Sequence, residues 1–149
     1  MRKFSISFAA LIFVCAAVTQ AANSPTIVMP SQLKWSGAGL PGGMWMATVA
    51  GNPNGTGEYV IRIKMDPGAK FPPHTHGKTE RVTVLQGTLM AGIGSKWDAA
   101  KMIALPAGTY VIMPAGVPHY VMAKGTVVIQ LSGQGPSTTN MLGGGHMSM

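Results

Sequence analysis

From Trp45 onward the chain is a succession of short apolar runs, each cut by Gly or Pro before it is long enough for a helix. That punctuation constrains the fold most, because regularly spaced turns between short apolar runs suit an all-β sandwich or barrel. In 59–65, Tyr59, Ile61, Ile63 and Met65 alternate with Val60, Arg62 and Lys64. With side chains alternating across a strand, this is a strand with one buried face. Asp66-Pro67-Gly68 ends it. The run 81–85 reaches Gln86-Gly87 and resumes at 88–90, which predicts a hairpin. Leu105-Pro106-Ala107-Gly108 turns into 109–113, Pro114-Ala115-Gly116 turns again, and 119–122 is expected to pair with 126–131 across Lys124-Gly125. Counted in this way there are about eight or nine strands. Only 96–101 has modest helical character, enough for a turn or two. Strands and helices do not alternate, so a parallel α/β sheet is excluded.

The chain has 149 residues, 46% apolar and 10% charged, which suffices for one buried core. Its start, 1–22, has the three parts of a secretory signal peptide: basic Arg2 and Lys3, an apolar run over 4–18, and small Thr19, Ala21 and Ala22. The apolar run falls short of the ~20 residues that span a bilayer. Cleavage after Ala21 or Ala22 is therefore expected rather than a retained anchor, with a periplasmic or secreted product and no stable membrane insertion. Cys15, the single cysteine, leaves with that segment. Disulfides, thiolate ligands and thiol catalysis are then excluded from the mature chain.

The remainder divides into a covering segment with an N-terminal strand (23–57), a barrel (58–132), and a stretch rich in Gly, Ser, Thr, Asn and Met (133–149) that reads as a mobile tail. Net charge is +7, falling by two to +5 without Arg2 and Lys3, and the positives are scattered. Nucleic-acid binding favours a clustered basic stripe, so it is not expected. Carboxylates are scarce: Glu58, Asp66, Glu80 and Asp98 are the whole set.

Against that scarcity, three of the four histidines stand out in His74-Thr75-His76, followed by Glu80, and in His119. Two residues apart on an extended strand, His74 and His76 project from one face. Gly77-Lys78-Thr79 lets the chain turn so that Glu80 can return to the same point, with Val82 and Val84 on its face. Imidazoles with one carboxylate suit Mn, Fe, Co, Ni, Cu or Zn, and suit Ca or Mg poorly. On spacing alone the alternative stands that His74, beside Phe71-Pro72-Pro73, packs in a loop and Glu80 is a surface acid.

The spacing resembles the two motifs of the cupin superfamily. Gly68, five residues, His74-x-His76, three residues, Glu80, six residues and Gly87 match the first motif. Gly108, five residues, Pro114-x-Gly116, two residues and His119 match the second. The family's closing Asn is replaced by Ala123. The resemblance, over 68–123, implies an antiparallel jelly-roll β-barrel holding one divalent transition metal (Fe, Mn, Ni, Co, Cu or Zn) through His74, His76, Glu80 and His119, with open coordination positions toward the mouth. The glycines and Pro114 then serve as turn formers. Ala123 is either a variable position or the mark of a more apolar pocket.

Such a centre admits water, dioxygen or a bidentate small molecule. The function expected is a dioxygenase-like or other metal-dependent oxidoreductase acting on a small molecule, aromatic ones included, with Trp45, Tyr59, Phe71, Met90, Tyr110, Tyr120 and Ala123 as pocket-lining candidates. One alternative is a non-catalytic exported binding module. The twelve methionines and the ending His146-Met147-Ser148-Met149 point that alternative toward copper, with His146, Met147 and Met149 as a second metal site, although flexible Met more often fills packing gaps. A sugar isomerase or epimerase would need a proton-transfer group near the metal, for which only Lys, Tyr or Glu58 is available. The resemblance also allows a homodimer through 24–45, with Leu33, Trp35 and Leu40, or simple coverage of the barrel.

Overall fold

The computed structural model describes residues 24–143 and the backbone of 145–148. The signal-peptide segment read in 1–22, and the side chains of His146, Met147 and Met149, lie outside the described residues.

Nine strands follow one another: β1 (Met44–Gly51), β2 (Glu58–Met65), β3 (Lys70–His76), β4 (Glu80–Ile93), β5 (Ile103–Pro106), β6 (Tyr110–Met113), β7 (His119–Gln134), β8 (Thr138–Met141) and β9 (Gly145–Ser148). All pairings are antiparallel. The order is β1-β2-β7-β3-β8-β9, with β4 joined to β7 along one edge and to β5 and β6 along the other, and the sheet curls into a half-barrel of jelly-roll type. The only helical pieces among the described residues are single 3-10 turns at Pro30–Gln32 and Ala99–Lys101.

β2 shows why the curl is stable. Tyr59, Ile61, Ile63 and Met65 are 0–6% exposed and pack with Met44, Val84, Leu89, Val127 and Leu131. On the opposite face Lys64 lies over the rings of Trp35 and Trp45, at 5.5 and 4.9 Å, and Arg62 Nε donates to Gln130 Oε1 at 3.1 Å. The covering segment is fastened by the same contacts. Ser36 bridges Met46, and Leu40 packs against the core.

Two expected hairpins are absent. The chain does not reverse at Gln86-Gly87 or at Lys124-Gly125; β4 and β7 continue through both and pair with each other from Glu80 opposite Gly133 to Ile93 opposite His119. Tight two-residue reversals need a positive φ at the first central residue. Gly87 and Gly125 have φ +77°, but no residue other than glycine has a positive φ among those described. Gln86 and Lys124 therefore cannot open such a turn, and the register shifts at Val84/Gln86 and Gln86/Thr88 mark bulges that bend two long strands together.

The expected mobile tail is a second correction. β7 extends to Gln134, and β8 pairs with β3, placing Thr139 opposite His76. Thr138 and Thr139 carry β-branched side chains that suit a strand, and Thr139 is fully buried. Residues 133–141 thus belong to the barrel.

Candidate metal centre

β3 delivers two histidines to the interior, and its local sequence explains how. Pro72 and Pro73 lack N–H groups, and the ladder to β7 is interrupted between Phe71 and His74. The Pro72 carbonyl instead accepts from His74 Nδ1 at 2.7 Å. His119 repeats the arrangement, its Nδ1 donating to the Val117 carbonyl at 3.0 Å. A ring nitrogen facing a carbonyl must carry the proton, so Nε2 of both rings keeps a free lone pair. His76 Nδ1 meets the Thr139 hydroxyl at 3.2 Å.

His74 and His119 are direct partners across β3 and β7, and one ligand atom from each of His74, His76 and His119 lies within 4.8 Å of the others. Glu80, at the start of β4, places Oε2 3.3 Å from His76 Nε2. All four side chains are buried, and their donor set is three borderline nitrogens and one hard oxygen.

The electrostatics fit a cation. Burial, reinforced by His119, holds His74 down at about 3; burial and His119 likewise lower His76 to about 4, and burial lowers His119. Burial pushes Glu80 up to about 7 although the Tyr59 and Ser137 hydroxyls oppose it. Tyr59 rises to about 12 through burial and the nearby Glu80 charge. Neutral imidazoles are ready ligands, and an ionised Glu80 lacks only a compensating positive charge.

An acid effect follows for protein stripped with chelator. Unfolded histidines titrate near 6.5, His74 and His76 fold with values of about 3 and about 4, and His119 is lowered too, so below that pH the unfolded chain binds more protons and stability falls. Glu80 acts oppositely: its raised value adds stability below 4.5 that disappears as pH rises through about 7. Three groups outweigh one. Thermal melts at pH 7 and pH 5 are expected to show a lower Tm at pH 5; an equal or higher Tm there contradicts the buried neutral triad.

Beside these four side chains an open-mouthed apolar cavity is walled by Phe71, Val82, Leu89, Leu105, Val111 and Val121 among others. Its polar lining consists of His74, His76, Glu80, His119 and Thr139. Of the candidates drawn from sequence, Phe71 is on this wall. Tyr59 stands behind Glu80, and Ala123 is buried in the core outside the wall. Trp45 lies on the outer face against Lys64, and Tyr110 is 57% exposed. Tyr120 is buried beside Trp97, its hydroxyl donating to the Asp98 carbonyl at 2.9 Å. Met90 is not on the wall either. Strand alternation explains the misplacements: Leu89, Ala91, Val111, Met113 and Val121 face the cavity, so Met90, Tyr110 and Tyr120 face away. Counting in twos from Glu80 and His119 finds Val82 and Val121. Leu89 needs the bulge at Gly87, and no motif pointed to Ser137 or Thr139.

The arrangement defines a class: a small antiparallel barrel with a three-histidine cluster, able to hold a metal ion, at the base of an apolar cavity. The chain belongs to the cupin superfamily, with residues 23–138 matching the family model described as the ChrR cupin-like domain. It is similar to the auxin-binding protein ABP19b of Prunus persica, 30% identical over 114 residues that cover 69% of this chain and 54% of that protein. It is also similar to germin-like protein subfamily 3 member 1 of Arabidopsis thaliana, 29% identical over 141 residues covering 82% of this chain and 68% of the relative. The chain thus spans about half the length of the first of these. The polyketide cyclase RemF of Streptomyces resistomycificus shares the fold, with a TM-score of 0.63, 18% identity, and coverage of 76% of this chain and 84% of that one. So does a cupin-like protein of unknown function from Ralstonia eutropha, with a TM-score of 0.66, 17% identity, and coverage of 87% and 78%. Among the described residues no helix is long and apolar enough to cross a membrane.

Proposed function

We propose that the protein is an exported, metal-dependent oxidoreductase of dioxygenase type whose substrate is a small, largely apolar molecule, aromatic rings included. One observation carries the reading: apart from Thr139, every polar group on the cavity wall belongs to the ligand set. In this reading His74, His76, His119 and Glu80 hold one divalent transition metal, which when bound supplies Lewis-acid or redox chemistry. The walls exclude water and orient an apolar substrate by shape, and Thr139 keeps the His76 ring turned. Acid–base chemistry has little support here. No Lys or Tyr lines the cavity, and Glu58 is exposed beside Arg81 in a separate polar groove, which disfavours the sugar isomerase alternative.

Protein reconstituted separately with Fe(II), Mn(II), Ni(II), Co(II), Cu(II) and Zn(II) is to be assayed for dioxygen consumption with a panel of small aromatic substrates. Turnover with at least one metal, abolished by His76→Ala, is the expected result; no turnover with any pairing contradicts it. A second reading, an exported binding module, is favoured by the similarity to a protein named for binding auxin. Saturable ligand binding without turnover selects it. Its copper form further requires that deleting 146–149 lower Cu(I) affinity while the barrel site stays intact.

A further inference from the structure

Tyr59 is 2% exposed in the middle of the core, yet its hydroxyl does not serve the fold's hydrogen-bond ladder. Register explains where it goes. Gly133 of β7 is the partner of Tyr59 on β2 and of Glu80 on β4, so the three residues stand abreast on adjacent strands. A side chain at Gly133 would bring its Cβ to 3.0 Å from the phenol oxygen. With glycine there, the ring crosses β7 and its hydroxyl donates to Glu80 Oε1 at 3.0 Å. Ser137 Oγ, just before β8, lies 3.2 Å from the same phenol oxygen. The other carboxylate oxygen, Oε2, is the one beside His76 Nε2 at 3.3 Å. The two oxygens of Glu80 are thereby divided between a phenol behind the site and the His76 imidazole in front of it.

We propose that Tyr59 is a positioning residue that restricts Glu80 to one-oxygen ligation and so keeps a coordination position open toward the cavity. The proposal rests on the metal-site reading above. A carboxylate oxygen engaged by a buried O–H donor is not free to chelate, since rotating it toward the metal breaks a buried hydrogen bond and leaves the phenol unpaired. Without that hydroxyl, Glu80 keeps only the Ser137 hydroxyl behind it, and its carboxylate is freer to turn both oxygens toward the metal. The extra ligand occupies the position that an incoming small molecule would use.

Tyr59→Phe tests this, because it removes one oxygen and keeps the ring. The probes are Co(II), read by its visible absorption, and azide as a small exogenous ligand. Wild type loaded with Co(II) is expected to bind azide with a saturable change in its d–d bands. In Tyr59→Phe the bands are expected to weaken and shift as coordination number rises, with azide affinity at least ~10-fold lower, the scale on which outer partners influence a metal site. Ser137→Ala is expected to move both readouts the same way by less, and it serves alone if Tyr59→Phe lacks the wild-type far-UV circular dichroism. Unchanged bands and azide affinity in a folded Tyr59→Phe overturn the positioning role, as does a lower Co(II) loading with unaltered bands. Absence of Co(II) bands in wild type overturns the metal-site reading, and this proposal with it.

Discussion

Replacing His76 with alanine is expected to weaken divalent-metal binding by more than ~100-fold, above the ~10–100-fold that follows loss of an outer partner. His76 is central in two ways. Its ring lies 4.8 Å from that of His74 and 5.1 Å from that of His119, and its Nε2 is the imidazole nitrogen beside Glu80 Oε2. Its loss therefore removes a nitrogen ligand and the neighbour that aligns the carboxylate. The substitution also takes from the buried Thr139 hydroxyl its partner at 3.2 Å, a cost to the fold that is read separately from the metal affinity. Competition titration against a chromophoric chelator measures the affinity. Binding within a few-fold of wild type contradicts a ligand role for His76.

Gly87→Ala is expected to destabilise the barrel by roughly 2–5 kcal/mol, the sum of left-handed backbone strain of ~1–2 kcal/mol and crowding of ~1–3 kcal/mol. Gly87 has φ +77°, and a Cβ there would lie against the Thr126 carbonyl oxygen. That oxygen is backbone of the paired strand β7 and can move only if the bulge opens. Gly68 is the natural comparison, with φ +79° and nothing within 4 Å of the place a Cβ would take. Gly68→Ala is expected to lose only the strain contribution of ~1–2 kcal/mol. Urea denaturation of both variants separates the two effects. Equal losses would show that close approach at the β4–β7 bulge contributes nothing.

Gly87 also illustrates what the sequence could and could not disclose. Its place seven residues after Glu80 marked it as a backbone position of special conformation, and that much was legible. Whether the chain reverses or merely bends there depends on the φ of Gln86 and on a partner strand forty residues away, neither of which local composition records. The same holds at Gly125, so two hairpins were expected where two long strands lie side by side. Strand β2 was legible because one face is wholly apolar and the other carries Arg62 and Lys64.

The site divides along similar lines. His74, His76, Glu80 and His119 could be picked out because few residues in the chain carry such chemistry, and their spacing follows strand alternation. Ser137 and Thr139 are chemically ordinary hydroxyls in a stretch whose composition suggested mobility, and only tertiary pairing brings them beside Glu80 and His76. Tyr110 and Tyr120 miss the cavity for a third reason. Residue type singles out Tyr110 and Tyr120, whereas the side of the strand decides which residues face the cavity, and here Val111 and Val121 do.

Elemental analysis of the protein purified from its native compartment, run beside His74→Ala and His119→Ala, tests the metal centre most directly. The proposed metal centre predicts about one transition-metal ion per chain in wild type and a near-complete loss in both variants. A content far below one ion per chain, unchanged by either substitution, would contradict it.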